Sequence, residues 1–181
     1  IGFGISKSTT SSILVDGKQV TLETIESRPA PYDDGCHLNY HESVSPLCEY
    51  GNLEGDKTVV LYGDSHAVQW FPALEKLARE KGFKLVTLTK SACPSIDVVR
   101  DSVGAFKMSN CAAWRANTIA RITAEKPDII ILSSFEHFAP PGDPGAVEQW
   151  WADGSLRTYE ILRPLASKVF YLLDTPLPER N

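Results

Sequence analysis

The stretch Thr58-Val59-Val60-Leu61-Tyr62-Gly63-Asp64-Ser65-His66 decides the fold of this chain. Its first five residues are apolar, aromatic or β-branched, which is typical of a strand that is buried on both faces. The run ends at Gly63, and apolar residues recur with helical spacing from Ala67 onward. We therefore predict a strand at 58–62, a tight turn and a helix at 67–81. Ser65 then lies at the carboxyl end of a buried strand, beside a helix N-terminus that favours negative charge.

Downstream of this stretch, strand patterns alternate with helical patterns. Further strands are predicted at 83–88, 129–132 and 169–173, and further helices at 110–125 and 147–167. The last helix contains Asp153-Gly154 and Pro164, which we expect to interrupt and strain it. The alternation predicts βαβ units and a three-layer α/β/α domain with a parallel sheet. We assign this domain to residues 36–181, and the polar residues 1–35 to a linker or an edge hairpin.

Polar residues follow each predicted strand, at the edge of the sheet where ligands bind in folds of this kind. We expect these strand tips to surround one cleft. The tip residues are Gly63, Asp64, Ser65, His66, Ser91, Ala92, Ser134, Glu136, His137 and Asp174. A serine hydroxyl at such a tip is well placed to attack an acyl carbonyl.

Size and charge limit the classes of function. The chain has 181 residues, of which 43% are hydrophobic, and a net charge of −5. These values are ordinary for one globular domain, and the lack of a basic patch predicts no nucleic-acid partner. No Gly-rich phosphate loop occurs, and no cofactor is predicted. The chain begins with Ile1, from which we expect it to be a piece of a longer protein.

The four cysteines allow three pairings. Proximity in the sequence favours Cys36–Cys48 and Cys93–Cys111, each of which would close a short loop. Two disulfides would place the protein in an oxidising compartment outside the cytoplasm. The alternatives are four reduced cysteines, or a zinc site built from Cys36, His37, His41 and Cys48.

Several segments together resemble a known family. Val59–Ala67, followed by Trp70-Phe71-Pro72-Ala73-Leu74, resembles the first block of SGNH (GDSL-type) hydrolases. A narrower resemblance is to the SGNH domain fused to membrane acyltransferase-3 proteins. It rests on the Cys36 to Cys48 segment, Ala92-Cys93-Pro94, Cys111-Ala112-Ala113-Trp114-Arg115 and Asp174-Thr175-Pro176. The resemblance covers residues 32–178 and implies a flavodoxin-like sheet.

The resemblance also implies that Ser65 is the nucleophile and that its backbone N–H belongs to the oxyanion hole, with Gly63, Asp64 and His66 in support. In the wider group a second-block Gly and a third-block Asn complete that hole. Here Ser91-Ala92-Cys93 contains no Gly, and Phe135 stands at the Asn position. The N–H of Ala92 and the side chain of Ser134 are therefore predicted as substitutes.

A general base is not evident. Family members carry a C-terminal Asp-x-x-His motif, in which the His activates the serine and the Asp orients the His. No such motif follows the last predicted strand, and we expect the domain to continue beyond Asn181. His66 is predicted to make a packing or supporting contact, because consecutive side chains seldom converge on one atom. His137 is either a base or substrate ligand or a surface histidine, and Asp64 is expected to anchor the turn.

The implied function is that of an acyltransferase component outside the cytoplasm. A membrane acyltransferase-3 domain of the same full-length protein would tether it and supply an acyl group, most often acetyl. Ser65 would deliver this group to a hydroxyl of a cell-surface glycan or glycolipid. The alternatives are a secreted carbohydrate esterase and a catalytically inactive glycan-binding module. For Trp150-Trp151, packing is favoured over stacking on a sugar ring.

Overall fold

The computed structural model describes residues 12–15, 18–21, 28–98, 110–138, 140 and 144–175. The strands are β1 Ser12–Val15, β2 Lys18–Thr21, β3 His37–Leu38, β4 Glu49–Gly51, β5 Thr58–Gly63, β6 Lys84–Lys90, β7 Ile129–Ser133 and β8 Lys168–Tyr171. The α-helices are α1 Ala30–Asp33, α2 Ser65–Val68, α3 Phe71–Lys81, α4 Cys111–Glu125 and α5 Val147–Leu162, and Pro144–Ala146 form a 3₁₀ turn.

The main sheet has the strand order β3-β6-β5-β7-β8, and β4 also pairs with β6. All neighbours in that order are parallel, whereas β4 is antiparallel to β6. The chain runs from β5 outward to β6 and then returns to β7 on the other side of β5. This is the flavodoxin-like order, in which ligands bind where the strand order reverses, between the carboxyl ends of β5 and β7.

Both faces of the sheet are covered. On one face, strand residues such as Tyr62 and Leu88 pack with Trp114 and Ile122 of α4 and Leu162 of α5. On the other face, Val59, Leu61 and Leu85 pack with Ala67 and Val68 of α2 and with Phe71 and Ala78 of α3. The predicted α/β/α parallel-sheet fold is therefore confirmed, and it follows from strands that are apolar on both faces.

The helix predicted at 67–81 is divided in two. The structure has the short helix α2 and, after Gln69-Trp70, the longer helix α3. Pro72 is the reason, because it is the second residue of α3, where its missing N–H and its ring prevent a continuous helix with α2. The predicted stop at Gly82 is confirmed, since Gly82 caps α3 with a φ of 73°.

The interruption predicted at Asp153-Gly154 is wrong. Helix α5 runs without a break through Gly154 and ends just before Pro164. Gly154 is buried, and a Cβ atom there would lie 2.5 Å from Cγ1 of Val98. The glycine therefore permits close packing between α5 and the segment that follows β6, and does not break the helix.

The N-terminal and cysteine-containing segments are partly described. β1 and β2 form an antiparallel pair that, among the described strands, is a sheet of its own and does not extend the edge of the main sheet. Pro31 of α1 is buried. The division of the chain at residue 35 stays a prediction.

Both predicted disulfides, Cys36–Cys48 and Cys93–Cys111, are present, so these sulfurs are not free to serve as zinc ligands. Among the described helices, none has the length and apolar character needed to cross a bilayer.

Candidate active site

The turn that carries Ser65 begins with a close contact between two strands. Gly63, the last residue of β5, pairs with Ser133, the last residue of β7. A Cβ atom on Gly63 would overlap the carbonyl oxygen of Ser133 and would lie 2.8 Å from Cβ of Ala67. Only glycine fits here, and the missing side chain lets β5, β7 and α2 converge immediately before Ser65.

Ser65 is the first residue of α2 and is half-buried. It lies at the carboxyl end of β5, as the sequence predicts, and next to the point where the strand order reverses. Because α2 spans only four residues, its dipole is smaller than that of the continuous helix expected from the sequence. Within the described part of the chain, no hydrogen-bond partner is recorded for the Ser65 hydroxyl. The hydroxyl is therefore not used to hold the turn together.

Asp64 anchors this turn. Its side chain is completely buried, and Oδ1 accepts a hydrogen bond of 2.9 Å from the backbone N–H of His66. The backbone N–H of Phe135 donates to both carboxylate oxygens, at 3.2 and 3.0 Å. Burial raises the pKa of Asp64, while the N–H groups of Phe135 and His66 act in the opposite direction. Asp64 thus joins the tip of β5 to the tip of β7 by hydrogen bonds of the kind predicted for it.

His66 has a partner that local sequence patterns do not reveal. Its Nδ1 lies 2.5 Å from Oδ1 of Asp174, whose side chain is only 4% exposed. Asp174 is held by the loop after β7, because Glu136 N–H donates to its Oδ2 at 3.3 Å and its own N–H donates to Glu136 Oε1 at 3.2 Å. When a neutral His66 ring donates its Nδ1 proton in a hydrogen bond to this carboxylate, the lone pair of the ring lies on Nε2.

These contacts bring three of the four predicted strand tips together, those of β5, β7 and β8. Phe135 lies at their centre, with its ring centroid 4.8 Å from that of His66 and 5.2 Å from that of His137. His137 itself is exposed, and among the described residues neither an acid nor Ser65 is recorded as its partner. Its role as a base or ligand stays a prediction.

The fourth tip, after β6, contacts β3, the strand at the other edge of the sheet from β8. Ser91 Oγ lies 3.0 Å from Nε2 of His37, and Thr89 Oγ1 lies 3.1 Å from Nδ1 of the same ring. Burial, helped by the positive charge of Lys90, lowers the pKa of His37 to about 4. Lys90 is itself buried, and its Nζ donates to the carbonyl of Asn39. The recorded contacts of Ser91 are therefore with β3 and not with the turn at Ser65.

Ala92 and Ser134, the predicted oxyanion donors, differ in placement. Ala92 has a φ of 54°, the left-handed conformation that glycine adopts most easily. Its backbone therefore takes the shape that the missing second-block Gly would favour. Ser134 is completely buried, and its Oγ accepts from Ser95 N–H at 2.9 Å and contacts Ser95 Oγ at 3.0 Å. The hydroxyl of Ser134 thus holds the loop after Cys93, and neither oxyanion role is tested by the geometry.

A cavity that the sequence did not predict adjoins Glu136, the residue that exchanges hydrogen bonds with Asp174. It has a volume of about 390 Å³ and lies between α5 and the carboxyl end of β8. Its lining residues are Glu136, Val147, Glu148, Trp151, Ala152, Ser155, Tyr171 and Leu173. The available signal was the helical spacing of Val147, Trp151 and Ser155, which places them on one face of α5.

A family model described as "SGNH domain (fused to AT3 domains)" matches residues 34–181. No curated protein matches the chain. Among solved structures, the chain is similar to the periplasmic domain of a lipopolysaccharide acetyltransferase from Salmonella ser. Paratyphi A, with 17% sequence identity and a TM-score of 0.49. That alignment covers 78% of this chain and 48% of the other, so the chain spans about half the length of that protein's chain.

The family match, which extends over most of the chain, confirms the resemblance found in the sequence: this chain belongs to the SGNH domains that are fused to AT3 (acyltransferase-3) domains.

Proposed function

We propose that this domain transfers an acyl group, acetyl in the first instance, through Ser65 to a hydroxyl of a cell-surface glycan or glycolipid. The observation that carries the proposal is the position of Ser65. Ser65 is half-buried at the carboxyl end of a central strand, next to the point where the strand order reverses, and its hydroxyl forms no hydrogen bond to the described residues. Ligands bind in this crevice in open α/β sheets.

The reaction would proceed in two steps. Ser65 Oγ attacks the carbonyl carbon of the acyl donor and gives its proton to a base, and the bond from that carbon to the leaving group breaks as the base passes this proton to the leaving group. The acceptor hydroxyl then attacks the ester carbon, gives its proton to the base, and releases Ser65 with its proton restored. The base that we expect is the histidine of the family's C-terminal Asp-x-x-His motif, which does not occur between the last strand and Asn181.

The family and the disulfides support the cellular setting. The family is one in which SGNH domains are fused to AT3 domains, and we propose that such a domain, elsewhere in the same full-length protein, supplies the acyl group from the membrane. The Cys36–Cys48 and Cys93–Cys111 disulfides are typical of proteins that fold in oxidising compartments. The proposed location is therefore outside the cytoplasm, with a tether to the membrane.

Replacement of the serine tests the chemistry. In cells that produce the full-length protein, Ser65→Ala is expected to reduce acylation of the cell-surface glycan by at least about 1,000-fold, because the covalent intermediate cannot form. The control is Ser167→Ala, an exposed serine outside the site, which should leave acylation unchanged. Mass spectrometry of released glycans measures both.

The other outcomes identify the rival functions. Undiminished acylation by Ser65→Ala protein, with its expression and thermal unfolding unchanged, would exclude a nucleophilic role and leave a glycan-binding module. Ser65-dependent hydrolysis of the acyl donor at a rate that no glycan acceptor alters would identify an esterase.

A further inference from the structure

The cavity beside Asp174 has the composition of a site for a polar ring. Trp151, Tyr171 and Leu173 are among its apolar and aromatic lining residues, and Glu136 and Glu148 are its two acidic ones. Its volume of about 390 Å³ lies within the range of small-molecule sites. A carboxylate accepts hydrogen bonds from hydroxyl groups, and an aromatic wall suits the apolar face of a sugar ring.

The cavity is joined to the turn at Ser65 by a chain of hydrogen bonds, in which both bonds between Glu136 and Asp174 are donated by backbone N–H groups. Glu136, which lines the cavity, exchanges hydrogen bonds of 3.2 and 3.3 Å with Asp174. Asp174 in turn contacts His66, the residue that follows Ser65. A ligand in the cavity is thus separated from the nucleophile turn by one carboxylate and one imidazole.

Trp151 is fixed in the cavity wall. Its indole N–H donates a hydrogen bond of 3.0 Å to the carbonyl of Phe138, in the loop that also carries Glu136. Its neighbour Trp150 meets it edge-on, with ring centroids 5.7 Å apart, but does not line the cavity. The two adjacent tryptophans therefore offer one residue inside the proposed site and one outside it.

We infer that this cavity binds a sugar ring of the acceptor glycan that neighbours the ring being acylated, and that its carboxylates select uncharged sugars over acidic ones. The inference rests on the proposed function, in which a glycan hydroxyl accepts the acyl group. An anionic sugar in the cavity would lie next to Glu136 and Glu148 and near Asp174, which contacts Glu136. Repulsion between these negative charges would disfavour its binding. A small acetyl group would leave most of the volume empty, and a long acyl chain would desolvate both carboxylates without hydrogen bonds.

Two probes that differ in one group test this inference. Methyl glucopyranoside and methyl glucopyranosiduronic acid share the same ring, and only the second carries a carboxylate. Binding to the 181-residue chain is followed through the indole N–H resonances in ¹⁵N-labelled protein. The neutral sugar is expected to shift the Trp151 signal and not that of Trp150, and the uronic acid is expected to bind about tenfold more weakly.

A charge reversal with a matched control sharpens the test. Glu148→Lys should reduce or reverse the tenfold preference, whereas Glu160→Lys, an exposed residue on the same helix and outside the cavity, should leave it unchanged. Ser65→Ala should still bind the neutral sugar, because the cavity does not include the serine.

The contrary results are distinct from failure of the proposed function. Equal affinity for the two sugars, or an unchanged preference in Glu148→Lys, would overturn the charge selection. A neutral sugar that shifts neither indole signal, in a protein whose glycan acylation still requires Ser65, would overturn the cavity as the acceptor site while the acyl transfer remains.

Discussion

His37 is a neutral imidazole enclosed by hydroxyl groups. Thr89 and Ser91 each place a hydroxyl on one of its nitrogens, and Tyr32 packs against the ring with centroids 4.6 Å apart. A hydroxyl can donate or accept, so this arrangement satisfies either neutral tautomer. Protonation would require a charge to be buried near Lys90, which is why the pKa falls from 6.5 to about 4.

The first prediction concerns stability in acid. In the unfolded chain His37 binds a proton below its ordinary pKa of 6.5, whereas in the fold it does so only below about 4. His37 therefore makes its full contribution to the free energy of unfolding above pH 6.5. As the pH falls from 6.5 toward 4, this free energy decreases by about 2 kcal/mol, after allowance for the partial exposure of the ring. Urea unfolding at pH 7 and at pH 4.5 measures the loss.

Two variants serve as comparison. His37→Gln should lose less stability between the two pH values than the wild type, because glutamine takes up no proton. His41→Gln, at an exposed position, should behave as the wild type does. Equal losses in wild type and His37→Gln would contradict the prediction.

For individual residues, the sequence predicts those roles that depend on neighbouring residues in the chain. The placement of Ser65 after a buried strand and the anchoring by Asp64 follow from the run at 58–66. The pairing of His66 with Asp174 does not, because the two residues are 108 positions apart and meet only through the register of the sheet. Ala92 shows a different limit, since a residue's identity does not reveal that its backbone adopts a positive φ.

At the scale of elements, Gly154 in α5 has two opposing effects. Glycine lowers the intrinsic stability of a helix by about 1 kcal/mol relative to alanine. Here it also lets α5 approach Asp97 and Val98, since a Cβ would lie 3.0 Å from the Asp97 carbonyl oxygen and 2.5 Å from Cγ1 of Val98. Val98 is itself buried and has little room to move.

The second prediction follows from this contact. Gly154→Ala is expected to lower the free energy of unfolding by about 1–2 kcal/mol, because the overlap outweighs the gain in helix propensity. Asp153→Ala, at the exposed neighbouring position, should change it by less than about 0.5 kcal/mol. Thermal unfolding measures both, and a Gly154→Ala protein as stable as the wild type would show that the packing can relax.

The same elements explain which boundaries the sequence could predict. Continuous apolar runs mark β5 and β7, and Gly82 marks the end of α3 because a left-handed cap favours glycine. The break between α2 and α3 depends on Pro72, which the apolar spacing conceals. The continuity of α5 depends on a tertiary contact of Gly154, so glycine as a breaker was the wrong interpretation there.

At the scale of the whole molecule, two disulfides restrain the unfolded chain. Cys36–Cys48 and Cys93–Cys111 join residues 12 and 18 positions apart. The second also holds the segment after β6 against the start of α4. In the chain-entropy description each loop of this size contributes about 3 kcal/mol.

The third prediction is that removal of either disulfide lowers the free energy of unfolding by about 3 kcal/mol. The variants are the paired substitutions Cys36→Ala with Cys48→Ala, and Cys93→Ala with Cys111→Ala. Urea unfolding with and without reductant measures the effect, and a variant that lacks all four cysteines is the control that reductant should not alter. Four free thiols in the denatured, unreduced wild type would contradict the pairing.

The architecture as a whole was predictable because alternating strands and helices leave few ways to cover a sheet. The spatial order of the strands entered through the family resemblance, and the sheet agrees with it. The cavity at Trp151 was not predictable, because it is enclosed by a helix and a strand that meet only in the folded chain.

One consequence concerns the sequence of events during synthesis. Asp174 follows β8, which pairs only with β7 among the described strands and does so over four residue pairs. The ribosome makes β5 and the serine turn more than one hundred residues before this carboxylate. A nascent domain whose translation stops before residue 174 can therefore already display its serine, while the adjacent imidazole still lacks the acid that orients it. A stretch of the domain that is made later thus completes the electrostatics of one that is made earlier.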